Sequence, residues 1–370
     1  MRYKLLDVLA CPQCQAAFAL QNVESAHEDD VLLGTLICCG CGATFPVSGG
    51  IPRLLPVGAG GEKGSAGSPA PETGPHRTAA TFGYEFSRFS QPNREDNRML
   101  FFRKTGIDPD FYRHVKFSRN GDSVIDSPPG YRPDGGLLSG KWALDLGCGM
   151  GRFADVARDY AREVVGLDMS LAVDTAQSRY GQYRNVHFIQ GDILSPPLRR
   201  ESFDFVYSLG VLHHTSSTWL GFQKAASLCR PGGHLAVWVY PPGYWNGAIR
   251  GGVAKTLRLF TKRLSPRQLH AFCALLYPLG ALQLRLATRK WSKLLGSLFF
   301  LVPVPRDQVR GRVDLGVIYD YYSPHYVWTH TSEEVFEWYL ESGFDDVRIL
   351  PVETALIGRK SQATTRSGYP

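Results

Sequence analysis

Two groups of residues in this 370-residue chain have the types and spacing that chemistry requires. The first is Asp145-Leu-Gly147-Cys148-Gly149-Met-Gly151, then Asp168 closing the apolar run VVGL, then Gly191-Asp192-Ile193 after VHFIQ. Glycines at such a turn let the backbone bend tightly and approach a ligand that a Cβ would exclude. Asp168, seventeen residues after Gly151, is placed to accept hydrogen bonds from ribose hydroxyls. Asp192 beside Ile193 offers an edge and a face to adenine. One glycine triplet is a weak signal, but three strand-end features in order imply an adenosine-type ligand. A dinucleotide is disfavoured, because G-x-G-x-x-G needs glycine where Arg152 stands.

The second group is Cys11-x2-Cys14 and Cys38-x2-Cys41, two knuckles separated by 23 residues. Four thiolates at this spacing satisfy tetrahedral zinc with no open position, which marks a structural site. Cys39 is a spare that leaves the register ambiguous. Cys148, Cys229 and Cys273 are scattered, and with no apolar signal core in Met1 to Ala10 the pattern reads as metal ligation in a reducing, cytoplasmic setting. His213 and His214, within Tyr207 to Thr215, are candidates for a base near neutral pKa. Being adjacent, they cannot both point into the same pocket. Asp320-Tyr321-Tyr322-Ser323-Pro324-His325-Tyr326, with His330, forms a further polar and aromatic cluster, from which Tyr322 is a candidate catalytic residue.

These residues must be held by an architecture the rest of the chain supplies. Apolar stretches WALDLG, VVGLD, VHFIQGD, FDFVYSL and HLAVWVY alternate with the amphipathic FADVARDYA, VDTAQSRY and FQKAASLC. Such alternation predicts βαβ units wound into a parallel α/β sheet with helices on both faces. A helix over Ser332 to Ser342, stopped by Gly343, and a late strand over Val347 to Leu350 are expected to close it. The expected organisation is a zinc ribbon over 1–57, a Gly/Ser/Pro-rich linker over 58–78, and a helical and aromatic lead-in over 79–140. A core over 141–243, a basic helical cap over 244–306, a C-terminal part over 307–358 and a disordered tail over 359–370 follow. No apolar run approaches the ~18–20 residues that cross a bilayer.

ALDLGCGMGRFA, VVGLDMS, GDILSPPL, FDFVYSLGVLHHT and RPGGHLAVWVY resemble the successive motifs of class I S-adenosylmethionine-dependent methyltransferases, across about residues 141–240. The resemblance implies a Rossmann-like sheet, methyl transfer and S-adenosylmethionine as cofactor. It places the glycine loop (Asp145, Gly147, Cys148, Gly149, Gly151) at the methionine portion, Asp168 at the ribose and Asp192 with Ile193 at the adenine. Met169 and Leu209 complete the implied set. The loop Tyr207 to Thr215 departs from the Asn/Asp-Pro-Pro-Tyr pattern of amide and adenine nitrogen methyltransferases and resembles small-molecule and quinone enzymes acting on oxygen or carbon. Such an enzyme has mainly to orient the acceptor in line and deal with its proton. Phe82 to Phe89 resembles the aromatic lead-in that covers the cofactor in related enzymes. LLDVLACPQC and CCGCGATFPVSGGIPRLLP are similar to the zinc-ribbon partner protein that stabilises RNA and release-factor methyltransferases. There it is a separate chain, so its fusion here implies an activator supplied in cis.

The net charge of +7 is local. Of 41 Lys and Arg, eleven lie between Tyr244 and Arg306, which holds no acid, leaving 30 bases against 34 acids elsewhere. Val253, Leu257, Phe260 and Leu264 recur at helical spacing, with Lys255, Arg258 and Lys262 between them on an expected basic face; a second stretch, Leu275 to Leu301, carries Arg285, Arg289, Lys290 and Lys293. The expected partner is a small-molecule or lipid-linked acceptor, with peripheral membrane contact through 244–306 and nucleic acid as the less favoured ligand. RNA or protein methylation, or a catalytically silent cofactor-binding module, are the alternatives.

Overall fold

The computed structural model describes residues 1–27, 29–55, 74–88, 94–108, 110–114, 116–117, 124–126, 135–244, 256–287 and 315–362. Val253, Lys255, Arg289, Lys290 and Lys293 therefore lie outside the described residues, as does most of the linker expected over 58–78.

The strand-forming runs are apolar on both faces, and both faces are covered. Strands β7 (Trp142–Leu146), β8 (Glu163–Asp168), β9 (Val186–Gly191), β10 (Phe203–Leu209) and β11 (Cys229–Trp238) pair in parallel in the order β9-β8-β7-β10-β11. Antiparallel β13 (Ala355–Lys360) and β12 (Phe344–Ile349) complete that edge. Alternation along β7 assigns the layers: Ala143 joins the core beneath α2 (Arg94–Thr105), α4 (Arg152–Ala157) and α5 (Ala172–Tyr180), while Leu144 and Leu146 join the core beneath α6 (Thr218–Leu228) and α9 (Ser332–Glu341). Helix α6 starts at Ser217, whose side chain accepts from the Leu220 N–H, and α9 starts at Thr331, which accepts from Glu334. Gly343 at φ +78° follows the end of α9, where the left-handed conformation favours glycine.

The ribbon strands β1 (Phe18–His27), β2 (Asp30–Cys38), β3 (Thr44–Ser48) and β4 (Ile51–Leu54) form an antiparallel meander whose last member continues the main sheet. Arg53 and Leu54 pair in parallel with Gln190 and Gly191, giving one eleven-stranded sheet. Residues 8–15 also clasp the loop after β9. Ala10 N–H donates to the Pro197 carbonyl at 3.1 Å, Arg199 N–H to Val8 at 2.8 Å, and the Ser195 hydroxyl to Pro12 at 2.9 Å. Leu5, Leu9, Leu36 and Phe45 belong to the same apolar core as Leu144 and Val206. Lys4 pairs with Glu163, which also holds His187 at 2.9 Å, and Arg53 pairs with Asp174. Beyond the sheet are a hairpin, β5 (Lys116–Phe117) with β6 (Val124–Asp126), and helices α1 (Pro75–Arg88), α3 (Phe111–His114), α7 (Pro266–Ala287) and α8 (Leu315–Tyr322).

Three expectations need correction. Helix α1 begins at Pro75, inside the expected linker, because proline lacks only an N–H that the first turn leaves unpaired anyway. Strand β13 runs through Arg359 and Lys360, inside the expected tail, because Arg359 is registered against His234. Arg258, expected on a basic outer face, turns inward to donate to the Pro324 carbonyl at 2.7 Å, while Phe260 of the expected apolar stripe is 56% exposed. Among the described residues, no helix is long and apolar enough to cross a membrane.

Leu9 is fully buried in the shared core. Leu9→Ala is expected to cost about 2–5 kcal/mol in denaturant unfolding, within a single transition of the whole chain. A separate early transition confined to the ribbon would show the two cores to be independent.

Candidate functional site

The strand ends converge on one cavity. It is lined by Gly147 after β7, Asp168, Met169 and Ser170 after β8, Asp192, Ile193 and Leu194 after β9, and Gly210, Val211, His214, Thr215 and Ser216 after β10. Thr78, Ala79 and Phe82 of α1 complete its wall, so the first part of the expected aromatic lead-in does face this space. Asp145 of β7, Leu209 of β10, and Cys148, Gly149 and Gly151 of the loop after β7 are not among the lining residues. Gly147, Gly149 and Gly151 have φ of +82°, +53° and +82°, which glycine adopts without strain. A Cβ on Gly147 would lie 2.3 Å from Cγ1 of Val211.

Hydrogen bonds set the loop against the acids. Asp168 Oδ2 accepts from the Gly149 N–H at 2.8 Å, and Oδ1 accepts from the Ser170 N–H at 2.8 Å and its hydroxyl at 2.7 Å. Burial raises the Asp168 carboxyl above its ordinary value, with these three donors pulling it back down. An ionised carboxylate has about four lone-pair sites, so one acceptor position remains. Asp192 Oδ1 accepts from the Leu194 N–H at 2.8 Å, holding its loop, and Ile193 is buried. Asp145 lies opposite Tyr207 across β7 and β10. Burial pushes Asp145 up to about 8 against the lowering pull of the Tyr207 hydroxyl, yet neither Asp145 Oδ2 nor Tyr207 Oη completes a hydrogen bond of good geometry. Burial likewise holds the Cys148 thiol protonated.

The adjacent histidines separate. His214 lines the cavity, its ring 5.3 Å from that of Phe82, and its Nδ1 lies 3.0 Å from the Tyr326 carbonyl. A carbonyl only accepts, so Nδ1 carries the hydrogen and Nε2 keeps a lone pair, which has no hydrogen-bond partner. Burial pushes His214 down to about 4. His213 is fully buried and does not line the cavity; its ring lies 3.8 Å from that of Tyr240, and neither nitrogen is hydrogen-bonded. Tyr322 also stands apart, buried in a cap core with its ring against Phe272 and Tyr321. His330 is engaged on both nitrogens, by Glu334 and Thr218, and packs on Trp338. Thr78, Ala79 and Ser216 lie outside the motifs legible in the sequence, whereas Ser170, Leu194, Gly210, Val211 and Thr215 fall within them.

In the ribbon, the four sulfurs of Cys11, Cys14, Cys38 and Cys41 lie within 4.8 Å of one another. Cys11 and Cys41 are 3.7 Å apart and Cys14 and Cys38 3.3 Å, near the about 3.8 Å edge of a tetrahedron with 2.3 Å zinc–sulfur bonds. Backbone N–H groups of Cys41 and Gly40, each 3.4 Å from Cys38 Sγ, help push that thiol down to about 6. Cys39 lies outside the cluster, which resolves the register.

Residues 144–237 match the family described as a methyltransferase domain, and residues 2–50 match the Trm112p-like protein family. A probable S-adenosylmethionine-dependent methyltransferase of Saccharomyces cerevisiae is 35% identical over 106 residues, 27% of this chain and 36% of that one. The malonyl-[acyl-carrier protein] O-methyltransferase of Enterobacter lignolyticus is 37% identical over 93 residues, 25% and 36% of the two chains. A ubiquinone biosynthesis O-methyltransferase of Coxiella burnetii is 30% identical over 100 residues, 26% and 43%. The chain thus spans well under half the length of these curated relatives. The complex of the Haloferax volcanii Trm112 methyltransferase activator with a methyltransferase aligns at a TM-score of 0.33 and 14% identity over 61% of this chain and 84% of that chain, a level that supports no inference.

Gly147→Ala is expected to cost about 1–3 kcal/mol in denaturant unfolding from the left-handed backbone and the Val211 contact together. Adding Val211→Gly, which removes its Cβ at 2.8 Å as well as both methyls, should couple favourably with it in a double-mutant cycle; strict additivity would show that Val211 is not the obstacle.

Proposed function

We propose that this chain, a Trm112p-like ribbon joined to a methyltransferase domain, is an S-adenosylmethionine-dependent methyltransferase acting on oxygen or carbon of a small-molecule or lipid-linked acceptor. The observation that carries the reading is the convergence of Gly147, Asp168, Asp192 and Ile193 on a single cavity. The residues fit the cofactor: a glycine loop for the methionine portion, the remaining acceptor position of Asp168 for a ribose hydroxyl, and Asp192 with Ile193 for the adenine edge and face. Two similar relatives are named as O-methyltransferases, which favours oxygen.

When bound, the cofactor supplies an electrophilic methyl group on a sulfonium. The protein's work is orientation and proton handling. His214 Nε2 is the acceptor for the proton of an attacking hydroxyl, its lone pair fixed by the Nδ1 hydrogen bond to the Tyr326 carbonyl. A base held near 4 is weak at the start, and it takes the proton only as the acceptor oxygen gains positive charge from the new carbon–oxygen bond. The walls contributed by Phe82, Ile193 and Val211 keep water from competing.

Calorimetry should detect binding of S-adenosylmethionine and of its demethylated product, weakened by roughly tenfold or more in Asp168→Asn, since a hydrogen bond to a charged group is worth about 1.5–3 kcal/mol. Absence of heat from both compounds would overturn the transferase reading; binding without transfer of labelled methyl to metabolite, lipid or RNA fractions would favour a silent module. His214→Gln should keep cofactor affinity and lower turnover by about 10²–10⁴. Wild-type turnover should stay level as pH falls from neutrality and drop only toward about 4, where His214 protonates. An acid limb near neutral pH would exclude His214 as the base.

The second half of the reading is that zinc on Cys11, Cys14, Cys38 and Cys41 stabilises the enzyme in cis, because the ribbon shares the sheet and core of the catalytic part. Chelation, or Cys14→Ser with Cys41→Ser, is expected to lower the melting temperature of the entire chain and to weaken cofactor binding. Unchanged melting and affinity would contradict it.

A further inference from the structure

The described part of the cap, residues 256–279, sets its side chains in two opposed environments. Thr261, Leu269, Cys273 and Leu276 are buried, and Arg258 is spent on the Pro324 carbonyl. Toward solvent stand Leu259 at 67% and Phe260 at 56% exposed, on one turn, and Leu275 at 75%. Single exposed apolar residues are ordinary, but consecutive Leu and Phe beside the exposed Arg263 and Arg267 are a composite surface. The segment 244–306 around them holds eleven Lys or Arg and no acid. The exposed Arg263 and Arg267, with no acid in the surrounding sequence, favour a polyanion, and the exposed Leu and Phe need an apolar phase next to it. Nucleic acid supplies phosphates without that phase, whereas an anionic bilayer supplies both.

This surface is tied to the cavity. Arg77 of α1 donates through Nη2 to the Thr261 carbonyl at 3.0 Å and also to that of Leu264, and the next two residues, Thr78 and Ala79, line the cavity. Tyr84, on the same helix, is 2.9 Å from His270 of α7.

We propose that the Leu259–Phe260 turn, with Arg263 and Arg267, docks on an anionic lipid surface and presents the cavity to acceptors held in or near it. Docking is read without turnover, so it stands apart from the transferase reading; only its bearing on the acceptor rests on that reading. The test is flotation of the full-length protein with vesicles of phosphatidylcholine alone or equimolar with phosphatidylglycerol. The protein should float with the anionic vesicles only. Leu259→Asp with Phe260→Asp should weaken binding roughly tenfold or more, and Arg263→Glu with Arg267→Glu should do so by a similar factor that raised salt reproduces in the wild type. Leu259→Ser with Phe260→Ser serves where the aspartates impair folding, and each variant should keep the wild-type melting temperature and cofactor affinity. No flotation, equal flotation on neutral vesicles, or wild-type flotation of the Leu259 and Phe260 variants would overturn the proposal. Salt-sensitive binding to RNA without flotation would assign the surface to nucleic acid and overturn it as well.

Discussion

The pairing of β4 with β9 is the contact on which the rest of this molecule depends. A parallel strand at a sheet edge leaves a row of unpaired donors and acceptors, and here Arg53 and Leu54 cover that row at Gln190 and Gly191. The next residue after the pairing is Asp192, whose loop is then gripped from outside by the backbone of Val8 and Ala10 and by the Pro12 carbonyl. The ribbon thus fixes one wall of the cavity without contributing a lining residue to it. Cys11 and Cys14 of the four-cysteine cluster lie within the segment that does the gripping.

Electrostatics sorts the buried acids by the donors available to each. Asp168 has two N–H groups and a hydroxyl around it, enough to offset much of the cost of burial. Asp145 is driven by burial toward the neutral acid, against the weaker pull of the imperfectly placed Tyr207 hydroxyl, Arg152 and the Ala154 backbone. The same logic separates the histidines: both are desolvated, but only His214 has a carbonyl that fixes its tautomer.

Much of this was legible in the sequence, for reasons that also mark where legibility ends. Asp168 and Asp192 could be placed because each ends an apolar run, and parallel strands in βαβ units bring such ends to one edge. The cysteine knuckles were legible because metal geometry constrains spacing. What sequence could not give is partnership across long separations: that Thr78 would sit opposite His214, that Tyr322 would turn into the cap, or that β4 would find β9. Periodicity located an amphipathic stretch around Arg258 but not which stripe faces inward, because a buried carbonyl at Pro324 outbid solvent for the guanidinium. Pro75 and Arg359 fall inside ordered elements for a related reason, since composition marks a linker or tail while local structure decides where it stops.

Placing both halves of the β4–β9 pair in one polypeptide has a consequence for dosage. Twenty residues, 55–74, join β4 to α1 in one polypeptide, so a strand that detaches meets its counterpart again at an effective concentration that the chain itself sets. Dilution, which dissociates a two-chain assembly, leaves that figure untouched, and synthesis delivers the two halves in a fixed one-to-one ratio.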